Sequence, residues 1–380
     1  MNTLRVLVTN ARRRKAIPIV RSLAAAGMHV ICADTTRWAA GFYSRACHER
    51  LIHPEIGSEA FLDFLIFWLS RNPCDAIFAL DDDVLDTLLC NRHRLPNPSA
   101  LLAPEARTVR RVNDKAWLIP YAAGLGIAVP KTIVIRSQDD LTRLRQIEPP
   151  ALVKPSQGSG GRGLRRAQNR QQLREACERI MAQGHAALVQ EIVPKEGHGL
   201  GYFALYDRQQ RLIAQFMHRR LREYPIDGGP STLREGVWDE ALAAAAKRLL
   251  ESLNWVGLAM VEFKEDVRDG VPKLMEINPR FWGSIALPIF SGVDFPVLAA
   301  RATAGQNVEP VLSYTLGNKA RWLWPGDILH LLASFRRGRW PRGFFHFFDP
   351  HTRDDMLSFR DPLPALLFTL ECFRKATQGR

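Results

Sequence analysis

Residues 153–163 read Val153-Lys154-Pro155-Ser156-Gln157-Gly158-Ser159-Gly160-Gly161-Arg162-Gly163. A short apolar run, Leu152 to Lys154, reads as a strand that opens into a loop with four glycines in six residues. Glycine leaves backbone N–H groups accessible, and such a loop can close on phosphate oxygens. It is neither a Walker loop nor a G-x-G-x-x-G turn opening a helix. A flexible turn alone would account for the glycines. It does not account for Lys154, which the strand holds beside the loop, where an ammonium can neutralise phosphate charge.

Downstream, Val256 to Lys264 and Lys273 to Ile277 read as a strand pair. Glu262 lies on the first. On the second, Glu276 and Asn278 alternate with Met275 and Ile277, and Arg280 follows at the same spacing. Residues two apart on a strand share a face. Two carboxylates and an amide oxygen on adjacent strands suit magnesium, which takes a few hard oxygen ligands plus substrate phosphates. The plain alternative is a solvated sheet face, which would not call for so particular a run as E-x-N-P-R. Between loop and strand pair, Thr132–Ile135, Leu188–Val193, Gly201–Tyr206 and Leu212–His218 read as strands, and Glu240–Leu253 as helix.

Upstream, strands Leu4–Thr9, His29–Asp34 and Ala76–Leu80 alternate with helices Ala16–Ala26 and Phe61–Leu69. Asp81-Asp82-Asp83 opens another helix, where carboxylates suit the positive end of the dipole. This alternation predicts a parallel, doubly wound sheet. It looks like a nucleotide-binding Rossmann unit, but the first turn, Thr9 to Lys15, has no glycine for a pyrophosphate to approach, which argues against a dinucleotide there. The Arg12–Lys15 run reads either as a contact for an anionic substrate group or as a solvated charge cluster.

Together these residues resemble the ATP-grasp superfamily, in particular its carboxylate–amine ligases and the biotin carboxylase and carbamoyl phosphate synthetase branch. The resemblance covers residues 4 to 310 and is carried by Val153-Lys154-Pro155 with the glycine loop, by Gln190-Glu191-Ile192-Val193-Pro194, and by Met275 to Arg280. It implies an α/β and α+β fold: a Rossmann-like pre-ATP-grasp domain (1–112), a two-subdomain ATP-grasp unit (113–310, lid about 130–195), and a basic, partly helical C-terminal segment (311–380). It further implies that Lys115 and Lys154 contact ATP, and that Ser156, Gly158, Gly160, Gly161 and Gly163 cover its terminal phosphates. Glu191, Ile192 and Val193 would form the adenine hinge, and Glu262, Glu276 and Asn278 would hold magnesium, or manganese in its place. Arg280 would face the transferred phosphoryl group. Gln215 and His218 match, in spacing, a glutamine and a histidine near the nucleotide. The sequence departs from the family where an acid for the ribose is expected; Glu196 is the obvious candidate. There is one ATP-grasp unit, no glutaminase and no biotin-attachment motif, which argues against a complete carbamoyl phosphate synthetase and against acetyl-CoA-type carboxylation within this chain.

The stretch His218 to Thr232 runs a basic strand end into Gly228-Gly229-Pro230 and reads as a substrate loop, although a structural loop would look the same. Arginines there suit a carboxylate or phosphate. Period-two spacing puts Arg220 and Arg222 on one face with His218 and Arg219 on the other, so Arg220 and Arg222 are the expected acceptor contacts. In the tail, Asp327–Phe335 reads as a short amphipathic helix and Leu363–Phe373 as another apolar stretch, each followed by basic residues. Such helices either pack on the enzyme body or a partner, which is favoured, or rest on an anionic membrane surface.

The chain carries a formal net charge of +13, spread as about +4, +4 and +5 over the three segments, with no nucleic-acid motif. No stretch approaches the roughly 18 uncharged apolar residues of a spanning helix, and Met1–Val8 reads as a strand rather than a signal peptide. Six scattered cysteines without a C-x-x-C pair argue against a zinc site or disulfide framework and for a reducing cytoplasm. The expected activity is ATP-dependent activation of a small-molecule carboxylate as an acyl phosphate, followed by coupling to an amine or other nucleophile. The alternatives are a phosphotransferase that stops after the first step and a non-catalytic nucleotide-binding module docking at a membrane or partner.

Overall fold

The computed structural model describes residues 3–157, 163–226, 228–341, 343–346 and 349–377, with side chains through 374. The chain opens with β1 (Arg5–Val8), α1 (Ala16–Ala25), β2 (His29–Asp34), β3 (Glu49–Ile52), α2 (Glu59–Arg71), β4 (Ala76–Phe78) and α3 (Asp82–Cys90). The four strands form a parallel sheet in the order β3-β2-β1-β4. Its apolar runs are continuous because both faces are covered. Val6 and Val8 pack with Ile19, Val20 and Leu23 of α1, whereas Leu7 points the other way to Phe61 and Leu65 of α2 and Leu88 of α3. The chain order reverses between β1 and β4. The crevice beyond their carboxyl ends is where open α/β sheets take their ligands, and it faces the rest of the molecule.

Helices α4 (Ala106–Asn113) and α5 (Lys115–Gly124) lead to the second sheet. It comprises β5 (Thr132–Ile135), β6 (Ala151–Pro155), β7 (Arg165–Ala167) and β8 (Ala187–Glu191), antiparallel in the order β5-β8-β6-β7. Between β7 and β8, α6 (Arg170–Met181) covers one face through Leu173, Cys177 and Ile180.

The third sheet is the largest. After β9 (Gly199–Tyr206), β10 (Leu212–Glu223) and β11 (Ser231–Gly236) come α7 (Glu240–Ser252), β12 (Gly257–Asp266), β13 (Val271–Asn278), α8 (Ala286–Phe290) and α9 (Phe295–Thr303). The tail adds β14 (Lys319–Arg321), α10 (Ile328–Arg336), β15 (Thr352–Asp354) and α11 (Leu363–Thr377). The order is β13-β12-β9-β10-β11-β14-β15. Alternation along β9 sends Tyr202, Ala204 and Tyr206 toward α7, and Phe203 and Leu205 into the core shared with α1 and α9. The mixed α/β and α+β architecture expected from the sequence is what the chain forms.

The partly helical tail also adds β14 and β15 to the large sheet; three-residue strands such as Lys-Ala-Arg carry no periodicity to read. One local reading needs correction: the Arg12–Lys15 run is not a solvated face. Arg12 pairs with Asp34 (2.7 Å), Arg13 with Asp81 (2.5 Å), and Arg14 with Asp355 of the tail. Lys15 is buried, 3.1 Å from Asp81, and donates to the carbonyls of Leu80 and Phe281. Burial pushes its ammonium down to about 7.

Candidate functional site

The second and third sheets enclose a cleft of about 500 Å³. Lys154 stands in one wall because β6 alternates: Val153 faces the core of the second sheet, so Lys154 faces the cleft. Its Nζ donates to Gln190 Oε1 on the neighbouring β8 at 2.9 Å, and Gln190 is fixed in turn by donating to Thr132. Burial, helped by the charge of Lys115, pushes the Lys154 ammonium down to about 8. Asp114 caps α5, and the backbone N–H of Lys115 donates to Ser156 O at 2.9 Å, which ties the start of α5 to the end of β6. Ser156 itself is buried. Of the loop glycines, Gly163 has φ +76°, a backbone that favours glycine, and a Cβ there would lie 3.1 Å from the Pro155 ring. Gly158, Gly160 and Gly161 lie outside the described residues.

Glu191, Ile192 and Val193 line the far end of the cleft, where β8 stops. The Glu191 carboxylate accepts from the backbone of Lys131 (2.7 Å) and from Arg268 (2.9 Å), so it is held in place as the chain leaves the sheet. Glu196 is exposed and stands away from the cleft wall, which Lys195 lines instead.

At the other end, β12 and β13 pair in a register that sets Glu262 opposite Glu276 and Met260 opposite Asn278. The Asn278 amide bridges the carboxylates, its Nδ2 lying 3.1 Å from Glu262 Oε1 and 3.4 Å from Glu276 Oε1. Cations ring them: Lys115 is 3.1 Å from Glu276, Arg220 pairs with Glu262, and Arg280 Nη2 donates to Asn278 Oδ1 at 3.2 Å. Burial pulls the Glu262 carboxyl up, against the opposing pull of Arg220. Arg280 makes its main contact with the head of α3, gripping both oxygens of Asp82 at 2.8 Å. Among the described residues no cluster of three or more His, Cys, Asp or Glu forms a metal-ligating group. The hard donors at this point are two carboxylates and one amide. A second cavity of about 420 Å³ shares Lys115, Gln157 and Glu276 with the cleft and extends past Asn278 to Asp82 and Asp83 at the head of α3 and Arg110 of α4.

Three sequence expectations come out differently. Arg222 does not share a face with Arg220. The β10–β11 register shifts between them, and one irregular step moves a side chain to the other face of a strand. The Arg222 guanidinium is buried instead, 3.1 Å from Asp327 and over the Phe344 ring. Arg220 does reach the cleft, but as the partner of a carboxylate expected to bind metal. His218 is shut into the core, edge-on to Phe203 at 4.8 Å, and does not line the cleft. Neither ring nitrogen has a hydrogen-bond partner among the described residues, and burial lowers its pKa well below the ordinary histidine value. It fits because Gly201 opposite it lacks a side chain; a Cβ there would sit 3.0 Å from Nε2. Gln215 is likewise internal, bonded to Tyr202 and the Leu312 carbonyl. Asp82 is the site residue that sequence reasoning missed. The triple-aspartate run was visible as a helix start, but nothing local links it to Arg280, 198 residues away.

A small antiparallel sheet closing over a larger one, with a lysine on the first and paired carboxylates on the second, defines a two-sheet nucleotide-gripping protein. The comparisons agree. Residues 121–198 match the model for the ATP-binding domain of the carbamoyl-phosphate synthase L chain, and residues 209–323 match that for an ATP-grasp in the biosynthetic pathway with Ter operon. The chain is 24% identical over 218 residues to acetyl-CoA carboxylase 2 of Arabidopsis thaliana, covering 55% of this chain and 9% of that protein. It is 28% identical over 219 residues to the C-terminal section of the carbamoyl phosphate synthase large chain of Methanocaldococcus jannaschii, covering 54% and 33% respectively. It thus spans a small part of the curated relatives it matches. Among solved structures, the biotin carboxylase domain of Hydrogenobacter thermophilus 2-oxoglutarate carboxylase, in complex with MgADP, ADP and bicarbonate, superposes with a TM-score of 0.67 at 16% identity, covering 83% of this chain and 72% of that one. N5-carboxyaminoimidazole synthetase from Staphylococcus aureus, complexed with ADP, gives 0.65 at 16%, covering 84% and 82%. The chain has the ATP-grasp fold and is similar to the biotin carboxylase and carbamoyl phosphate synthetase branch.

Proposed function

We propose that the chain is an ATP-dependent ligase that activates a small-molecule carboxylate as an acyl phosphate and couples it to an amine or other nucleophile, releasing ADP and phosphate. One observation carries the reading: Glu262, Glu276 and Asn278 converge at the end of a cleft whose other wall presents Lys154, with Lys115, Arg220 and Arg280 around them. The donor set fits magnesium, which takes one or two carboxylates and keeps waters and phosphate oxygens as its other ligands. Glu262, Glu276 and Asn278 would hold it, and when bound it supplies positive charge at the phosphate oxygens.

Lys154 and Lys115 grip the phosphates, and the segment Glu191 to Val193 meets the base. Arg280, braced by Asp82, stabilises charge on the phosphoryl group as it moves. A carboxylate oxygen of the acid attacks the γ-phosphorus and ADP leaves. The nucleophile then attacks the carbonyl carbon, phosphate leaves, and the amine gives up a proton. The cavity that adjoins Glu276 and Asn278 gives the acceptor room beside the reacting phosphate.

MgATP should raise the melting temperature of the chain. A screen of carboxylates and amines for release of both ADP and free phosphate tests the chemistry. ADP without free phosphate would make the chain a phosphotransferase, and no thermal response to MgATP in a folded sample would overturn the reading altogether.

A further inference from the structure

The tail carries a surface that nucleotide chemistry does not use. Along α11, Leu363, Leu366, Leu370 and Phe373 recur at spacings of three and four, which lines them up on one helix face. Each is about half exposed. The opposite face is apolar too, since Ala365, Leu367 and Phe368 pack with Ile17, Ala40 and Met356 of the body. A helix apolar on both sides is one that expects cover on both sides.

The stripe continues beyond α11. Phe373 lies 5.9 Å from the ring of Trp324, just ahead of α10. Leu332 and Phe335 of α10 are exposed, and from Phe335 a file of rings runs through Trp340 to Phe345 at 4.8 and 5.7 Å. Trp340, in the middle of that file, is 61% exposed. Residues 328–348 hold four arginines and no acidic residue.

We propose that α10, the ring file after it and α11 form a docking surface for an anionic lipid bilayer. Apolar side chains would enter the headgroup boundary, tryptophan would sit at its level, and the arginines would meet the lipid charge. A second copy of the chain is a poorer occupant. A two-fold interface sets a patch against itself, which would bring the exposed Arg336 and Arg339 up against their own copies. No helix among the described residues is long and apolar enough to cross a membrane, so the contact is one of lying on the surface.

The test is flotation of the full chain with vesicles of phosphatidylcholine alone and of phosphatidylcholine with phosphatidylglycerol. Binding to the anionic vesicles, weakened by salt and absent with the neutral ones, is expected. The double variant Leu366→Glu/Leu370→Glu should lower the partition coefficient at least about tenfold, and Arg336→Glu/Arg339→Glu should abolish the preference for anionic lipid. Trp340→Ser is a milder variant in the same direction, and an unchanged MgATP-induced thermal shift shows that each variant folds. The proposal is overturned if the wild-type chain floats with neither vesicle. It is equally overturned if light scattering finds a dimer that Leu366→Glu/Leu370→Glu converts to monomer.

Discussion

Lys154 offers a test in which the structure fixes both sign and size. Its pKa of about 8 in the free protein comes from burial and from Lys115. A phosphate beside it would return the value toward that of an ordinary lysine. From pH 7 to pH 9, the charged fraction of the free form falls from about nine-tenths to about one-tenth. If the charged form grips the nucleotide, the apparent Kd for MgATP rises about tenfold over that window, or about 1.4 kcal/mol. Lys154→Met should bind about ten- to a hundredfold more weakly at pH 7, the worth of a hydrogen bond to a charged group, and should lose the slope. Lys154→Arg stays charged and should be flat while keeping most of the affinity.

The sign for stability is the opposite. The folded value lies below the ordinary lysine value of about 10.5, so between about 8 and 10.5 the unfolded chain holds more protons, and the contribution of this lysine to stability rises with pH. Below about 8 both states are charged and the burial penalty is present in full. Free protein and nucleotide complex should therefore respond to pH in opposite senses. Calorimetric titration at pH 7, 8 and 9, in two buffers of different ionisation enthalpy, reads both Kd and proton uptake. A flat wild-type Kd, or a Lys154→Met variant that keeps the slope, would refute the reasoning.

Glu276→Gln keeps the shape of the carboxylate site and removes one charge; ADP release should vanish while the melting temperature of the free protein stays within a few degrees, and near-normal turnover would mean the metal site lies elsewhere. Arg220→Ala and Arg222→Ala should separate cleanly. The first should raise the KM for MgATP or depress kcat, because Arg220 pairs with Glu262. The second should leave kinetics intact and lower unfolding stability by about 1–3 kcal/mol in urea, because it leaves Asp327 with Arg321 and Thr232 as its remaining side-chain partners. Asp82→Asn should reduce kcat about tenfold with little change in ATP affinity, and Asp82→Glu should recover part of it; equal losses in both parameters would assign Asp82 to the nucleotide site.

The parts of the site that the sequence disclosed are those fixed by local backbone geometry. Strand alternation alone puts Glu276, Asn278 and Arg280 on one side, and a neighbouring apolar strand with one carboxylate supplies Glu262. The register then sets Glu262 opposite Glu276. The parts that stayed hidden are those where the period breaks or the partner is remote. The shifted register after Arg220 reverses the face on which Arg222 emerges, and no composition signal announces such a shift. The Arg12–Lys15 run could not be read as structural, because the carboxylates that satisfy it come from far along the chain: Arg14 pairs with Asp355, 341 residues away, and Asp355 also takes Arg234 of β11. That junction explains why the tail resisted reading from its own residues. Its carboxylates Asp355 and Asp361 are spent on Arg14, Arg21 and Arg234, and apolar side chains such as those along α11 are left facing outward. A segment that looks basic and loosely amphipathic by itself is thus, in the fold, a brace between the first domain and the third sheet with an apolar outer face.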